Sequence, residues 1–239
     1  MLRLLQPDRA LHAIRAITLD LDDTLWEIGP VIRDAERALW DWLGANYPRI
    51  PERFTANDLL QLRQQVVEEF GDRAHDFSFM RKAVLRRLAD VAGYDEELVD
   101  PAFEVFCAAR NTVILYPDVI PQLERIYSRY TVVAVTNGNA NLETIGIRHL
   151  FHGVVTAIEA GAAKPSRRIF DLAIERAGVA KSEILHVGDH PETDIMGARQ
   201  AGLRSAWINR NGDDWPGHMT EPDATISDLA DLVELLDGS

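Results

Sequence analysis

The fold is decided by the stretch Ala16-Ile17-Thr18-Leu19-Asp20-Leu21-Asp22-Asp23-Thr24-Leu25. Its first half is rich in strand-forming residues, and apolar residues on both sides of the alternation are typical of a strand buried on both faces. Carboxylates follow at the carboxyl end of that strand, which is where open α/β sheets bind ligands. Crowded carboxylates repel one another unless a cation or a proton offsets their charge. The stretch therefore predicts a metal site.

The rest of the chain divides into two patterns. Between residues 31 and 111, apolar residues recur at helical spacing in four blocks, which predicts an all-helical insert. After residue 113, strand-like and helical segments alternate, and this predicts right-handed crossovers and a parallel sheet. We predict strands over 16–21, 131–136, 154–157, 183–188, 203–208 and 224–226. We predict helices between them over 121–130, 141–149, 167–177, 193–201 and 227–236, and a loose arm over 1–15.

Charge and composition narrow the class of function. The formal net charge is −13 and the pI is about 4.9, which argue against a nucleic-acid-binding surface and against docking on anionic lipid. The single cysteine, Cys107, cannot form an internal disulfide. The sequence shows neither a signal-like start nor an apolar run of membrane-spanning length. We expect an acidic cytoplasmic enzyme that is a monomer or a homodimer.

Four short motifs follow one another along the chain, each at or just after the predicted end of a strand. They are Asp20-Leu21-Asp22-Asp23-Thr24, Thr136-Asn137-Gly138, Lys164-Pro165, and Gly188-Asp189 with Asp194. Each motif alone is weak, because such short words recur by chance. The ordered set in its strand context is specific.

With these motifs the sequence resembles the phosphatases of the haloacid dehalogenase-like (HAD) superfamily, over nearly its whole length. The resemblance implies an α/β fold with a Rossmann-like parallel sheet sandwiched by helices. It also implies that the helical insert is a small cap domain. The implied domains are a core of residues 1–29 and 112–239 and a cap of residues 30–111. The implied partner is a small phosphorylated metabolite.

The resemblance assigns the acidic residues to catalysis and to magnesium. Asp20 is the expected nucleophile, which forms an aspartyl-phosphate with the substrate. Asp22, two residues on along an extended chain, lies on the same side and is the expected general acid and base. Asp189 is expected to complete a Mg²⁺ site with Asp20 and the backbone carbonyl of Asp22. Asp194 is expected to bind this metal through water or to orient Asp189.

The remaining motif residues are implied to bind the phosphoryl group. Thr136 and Asn137 are the expected hydrogen-bond donors to its oxygens, and Gly138 would allow close approach of the backbone. Lys164 is expected to neutralise the negative charge that develops during transfer. These two segments supply the expected phosphate-binding residues of the site.

The sequence leaves the substrate and some competing activities open. Stretches such as Leu19–Val31 and His186-Val187-Gly188-Asp189 are most similar to a branch acting on flavin mononucleotide and on the phosphoribitylamino-uracil precursor of riboflavin. The alternatives are a haloacid dehalogenase, a phosphomutase of the same fold and a non-catalytic binding module. Asp22 with Asp189 and Asp194 argues against the dehalogenase, because halide departure needs neither a general acid nor magnesium. The complete motif set argues against the binding module.

Overall fold

The computed structural model describes residues 3–4, as backbone, and 13–238. Within this part of the chain, seven strands form one sheet in the order β1-β7-β6-β5-β2-β3-β4. β1 pairs antiparallel with β7, and all other neighbours are parallel. The strands are β1 (Arg3–Leu4), β2 (Ala16–Leu19), β3 (Thr131–Thr136), β4 (Gly153–Thr156), β5 (Ile184–Gly188), β6 (Arg204–Ile208) and β7 (Ala224–Ile226). The predicted α/β fold with a parallel sheet is confirmed.

Helices follow or separate these strands. They are α1 (Ile28–Asn46), α2 (Arg49–Arg53), α3 (Ala56–Glu69), α4 (Phe77–Ala92), α5 (Val99–Arg110), α6 (Val119–Tyr127), α7 (Leu142–Ile145), α8 (Ala157–Ala160), α9 (Arg167–Ala177), α10 (Gly197–Ala201) and α11 (Leu229–Asp237). A wide helical turn, Pro191–Met196, runs directly into α10. Six helices, α1 to α6, lie between β2 and β3 in the chain, and the first five of them make up the predicted helical insert.

The central strands explain why the polar motifs meet. β2 lies between β3 and β5, with Leu19 in register with Ala134 and with Val187. Every residue of β2 is buried, as the apolar pattern predicted for a strand covered on both faces. Because the three strands are parallel, the residues that follow them emerge at the same edge of the sheet. This edge carries the candidate site.

The helical residues pack around a core of their own. Its buried members include Leu43, Leu85 and Phe106. The local signals that begin and end these helices are ordinary: Thr55 caps α3 in a capping box, and Gly93 ends α4 with a left-handed backbone. Both features satisfy backbone groups that a helix end leaves without a partner.

Contacts divide the chain into two units. The first holds the described residues up to Glu27, then Ile114–Gly138 and the described residues from Gly146 onward; the second holds Ile28–Val113 and Asn139–Ile145. The predicted domains placed 139–145 in the core, whereas this short segment groups with the helices. Among the described helices, none combines the length and apolar character that crossing a bilayer requires.

Four predicted elements differ from the structure. The first strand ends at Leu19 rather than at residue 21, because the chain turns and the Leu25 N–H bonds to the Leu21 carbonyl. The predicted helix over 141–149 is wrong: α7 ends at Ile145, and Gly146 has a φ of +89°. The predicted helix over 193–201 begins instead as the wide helical turn Pro191–Met196. In the arm over 1–15, residues 3–4 form an edge strand, while 1–2 and 5–12 lie outside the described residues.

Candidate active site

The loop after β2 turns sharply. Asp20 begins it, with its N–H bonded to the Val187 carbonyl at 2.9 Å. Asp23 has a φ of +59°, a left-handed conformation that aspartate tolerates better than most residues. Its N–H closes the turn by donating to the Trp26 carbonyl at 2.8 Å. Trp26 also donates its indole N–H to Asp22 Oδ1 at 2.9 Å. The turn thus fixes the backbone of the loop that carries Asp20 and Asp22, and a buried tryptophan holds the Asp22 carboxylate.

Lys164 is the cation of the site. Its side chain is 3% exposed, and its ammonium group donates to Asp20 Oδ1 and, at 2.6 Å, to Asp194 Oδ1. Burial alone would lower the pKa of this ammonium, but the charges of Asp194 and Asp20 outweigh burial and raise it. Lys164 is therefore positively charged at any physiological pH. The structure brings it to Asp20 from 144 residues away, as the ordered motifs predicted.

Asn137 holds the backbone of Lys164. Its Oδ1 accepts from the Lys164 N–H at 2.6 Å, and its Nδ2 donates to the Lys164 carbonyl at 3.1 Å. The sequence prediction assigned this amide to phosphate oxygens and did not foresee its bond to Lys164. The neighbouring Thr136 is buried, and its Oγ1 accepts from the Gly138 N–H at 2.9 Å. That bond does not use the hydroxyl hydrogen, so Thr136 can still donate to a ligand.

Three carboxylates cluster at this site, and two of them, Asp20 and Asp194, contact Lys164. Oxygens of Asp20, Asp189 and Asp194 all lie within 4.8 Å of one another. Burial raises the pKa of Asp20 well above its usual range, and the neighbouring carboxylates raise it further. Burial, followed by the charges of Asp194 and Asp23, raises the pKa of Asp189 to about 6. One ammonium group does not balance three carboxylates, so the cluster has room for a further positive charge.

Asp194 has a different environment from its neighbours. Its Oδ1 accepts from Lys164 and from His186 Nε2, the latter at 3.2 Å, and its Oδ2 accepts from the His190 N–H at 3.1 Å. Burial alone would raise its pKa, but the Lys164 charge and the His186 hydrogen bond hold the pKa well below its usual range. Both oxygens therefore serve to anchor other groups of the site.

Asp189 is supported by several contacts that the sequence did not reveal. Thr24 donates its hydroxyl to Asp189 Oδ1 at 3.2 Å, and Trp207 donates its indole N–H to the Asp189 carbonyl at 2.6 Å. Arg210 donates Nε to the Thr24 carbonyl at 2.9 Å and pairs through two bonds with Asp118. Arg210 follows β6, at the same sheet edge as the motifs. Its position just after a strand was the feature of the sequence that could have identified it as a site residue.

Gly188 is a glycine because Asp194 occupies the space of a side chain. A Cβ built on Gly188 would lie 2.6 Å from Asp194 Cβ and 2.7 Å from its Oδ2. We expect Gly188→Ala to displace Asp194 from Lys164 and to lower the unfolding free energy by about 1–3 kcal/mol, as overpacking does. Chemical denaturation measures this loss. Gly217→Ala is the control, since nothing lies within 4 Å of its Cβ position; equal stability of the two variants would contradict the account.

Comparison with known proteins gives one family. The family model for haloacid dehalogenase-like hydrolases matches residues 14–202. The chain is 34% identical, over 95% of its length and 98% of the relative, to 5-amino-6-(5-phospho-D-ribitylamino)uracil phosphatase YigB of Escherichia coli. It is 33% identical, over 82% of its length and 84% of the relative, to a glyceraldehyde 3-phosphate phosphatase of Methanopyrus kandleri.

A solved structure of a protein named for a different activity is also similar. It is described as a 2-haloacid dehalogenase from Pseudomonas syringae, and it superposes with a TM-score of 0.90 and 38% identity. The match covers 94% of this chain and 99% of that one. The relatives thus include two of the activities that the sequence left in competition, phosphatase and dehalogenase, and the side chains of the site must separate them.

Proposed function

Because the chain belongs to the haloacid dehalogenase-like hydrolase family, we propose that its site hydrolyses phosphomonoesters with the help of magnesium. The observation that carries this proposal is the buried Lys164 between Asp20 and Asp194, with Asp189 in the same cluster. A nucleophilic carboxylate, a fixed cation and further oxygen ligands are the components that phosphoryl transfer requires.

The residues Asp22 and Asp189 favour phosphate over halide chemistry. A departing alkoxide needs a proton, whereas a halide leaves as a stable anion. Asp22 stands two residues from Asp20 and supplies a carboxyl group for that proton transfer. The excess negative charge of the cluster also calls for a metal ion, which displacement of halide at carbon does not use. These two features support a phosphatase, in agreement with the curated phosphatase relatives.

In the proposed first step, an Asp20 oxygen forms a bond to phosphorus while the bond from phosphorus to the leaving oxygen breaks. The leaving oxygen takes a proton from Asp22. Lys164 and the Thr136 hydroxyl stabilise the charge that the phosphoryl oxygens carry during transfer. In the second step, Asp22 takes a proton from water, the water oxygen bonds to phosphorus, and Asp20 is released as a carboxylate.

The donor set fits Mg²⁺, which prefers oxygen ligands and keeps several waters. Asp20, the backbone carbonyl of Asp22 and Asp189 are the proposed ligands. When bound, the ion would supply positive charge to the cluster and to the substrate phosphate. For Asp194 we propose that it holds Lys164 rather than the metal, because its oxygens already accept hydrogen bonds from Lys164, His186 and His190.

For the substrate we propose a small phosphorylated metabolite. Flavin mononucleotide and the phosphoribitylamino-uracil precursor of riboflavin are the first candidates, and the likeness to YigB over 95% of the chain supports them. A phosphomutase would use the same side chains, but it would return the phosphoryl group to a second site on a sugar rather than to water.

The test is release of phosphate from a panel of phosphomonoesters that includes flavin mononucleotide, with chloride release from 2-chloropropionate measured in parallel. We expect phosphate release that stops when Mg²⁺ is chelated, and no chloride release. Mg²⁺ should also raise the Tm of the protein, because a ligand that binds only the folded state stabilises it. Asp189→Asn should abolish this rise. Chloride release without phosphate release would establish the dehalogenase instead, and a transferred phosphoryl group on a sugar would establish the mutase.

A further inference from the structure

A row of buried polar side chains lies behind Lys164. Thr18 on β2 and His186 on β5 are in register on neighbouring strands, and Thr18 Oγ1 lies 2.9 Å from His186 Nδ1. The other ring nitrogen, Nε2, lies 3.2 Å from Asp194 Oδ1, the oxygen that also accepts from Lys164 at 2.6 Å. Thr18 and His186 are completely inaccessible to solvent, and Asp194 is 1% exposed. Water therefore cannot substitute for any of these bonds.

The direction of each hydrogen bond follows from chemistry. Asp194 is ionised, and a carboxylate can only accept. His186 Nε2 must therefore carry a hydrogen and donate it to Asp194. Burial lowers the pKa of the imidazole, so the ring is neutral and Nδ1 has a lone pair. Thr18 supplies the hydroxyl hydrogen that this lone pair accepts.

The ring is also fixed in orientation. Phe170 contacts the imidazole edge to face, with ring centroids 5.2 Å apart. Only one tautomer and one ring orientation of His186 therefore give both ring nitrogens a hydrogen-bond partner.

We propose that His186 is a positioning residue that keeps Asp194 aligned on Lys164, and that the Thr18 hydroxyl satisfies His186 Nδ1 in the tautomer required for this. The proposal deepens the phosphatase function and rests on it for its kinetic consequence. Without the His186 donor, Asp194 loses one of the three hydrogen bonds that fix its carboxylate, and Oδ1 is held by Lys164 alone while Oδ2 keeps the His190 N–H. Lys164 then pairs more closely with Asp20, which weakens the nucleophile and displaces the cation from the phosphoryl oxygens.

The tautomer is tested on the full-length wild-type protein by ¹⁵N NMR of labelled histidine, with His186→Gln used to assign the His186 signals. We expect a neutral ring with hydrogen on Nε2. Thr18→Ser keeps the hydroxyl and should leave both nitrogen signals in place. Thr18→Val has nearly the same shape without the hydroxyl, so the hydrogen should stay on Nε2 while the Nδ1 signal shifts, because Nδ1 has lost its hydrogen bond. A wild-type ring with hydrogen on Nδ1, or an Nδ1 signal that is unchanged in Thr18→Val, would overturn the proposal.

The kinetic arm uses para-nitrophenyl phosphate and Mg²⁺. We expect His186→Leu to lower kcat about tenfold and to leave KM within about twofold of the wild type. A tenfold loss is the lower end of the range seen when a residue that orients the ligands of a site is replaced. His186→Gln, which retains an N–H near the position of Nε2, should recover part of this loss. If kcat per folded molecule is unchanged in His186→Leu, or equally low in both variants, the positioning role is refuted. Absence of turnover in the wild type would refute the phosphatase function and leave the NMR result to decide on the tautomer.

Discussion

Asp20→Asn is expected to lower kcat for phosphate release by at least about 10⁴-fold, the scale of loss when the nucleophile of a covalent mechanism is removed. An amide has nearly the same shape as the carboxylate but cannot attack phosphorus. Steady-state release of phosphate from para-nitrophenyl phosphate measures the effect. The folded structure should persist, because burial raises the pKa of Asp20 and a neutral group at this position relieves repulsion among the carboxylates.

The matched control for this variant is Asp23→Asn. The change is chemically identical and lies in the same loop, and asparagine tolerates the left-handed backbone found at Asp23. This control should keep kcat within the same order of magnitude as the wild type. Comparable losses in the two variants would mean that loop charge, and not a nucleophile at Asp20, governs turnover.

Lys164→Met is expected to impair both stability and activity. Removal of one partner from a buried ionic cluster leaves uncompensated charge and lowers the unfolding free energy by about 3–5 kcal/mol. Loss of a preorganised cation should lower kcat by at least about 10²–10³-fold. The stability loss should be largest at neutral pH and smaller in acid, because buried carboxylates without a cation are favoured in their protonated form. Denaturation at several pH values and phosphate release measure the two effects.

Two further variants separate the consequences of Lys164→Met. Lys181→Met removes an exposed ammonium and should change neither quantity appreciably. The double variant Lys164→Met with Asp194→Asn removes one of the uncompensated charges, so it should regain part of the stability but none of the activity. Recovery of activity in the double variant would show that Lys164 acts only by offsetting Asp194.

The sheet and the meeting of the motifs were predictable from the sequence. Buried strands with polar residues at their ends place Asp20, Thr136 and Asp189 at one edge, since parallel strands share a direction. Periodicity of apolar residues likewise predicted the helical insert. The points at which predicted helices break were harder to predict. For example, α7 stops where Gly146 takes a positive φ, a conformation that a helical pattern of apolar residues does not reveal.

The supporting contacts of the site were not predictable in the same way. Asn137 bonds to the backbone of a residue 27 positions away, and Arg210 reaches the Thr24 carbonyl across 186 positions. Neither pairing leaves a periodic or compositional trace, because loop conformation decides which side chains meet. Motif spacing therefore identifies reacting groups better than the groups that hold them.

The most direct test of the central claim is the detection of the covalent intermediate on Asp20. The wild-type protein, turning over a phosphomonoester with Mg²⁺, is quenched rapidly in acid and treated with borohydride, which reduces an aspartyl phosphate to homoserine. Peptide mass spectrometry then locates the reduced residue. We predict homoserine at position 20 alone, and only when substrate was present. Rapid turnover without any reduced residue, or reduction at a different carboxylate, would contradict the account.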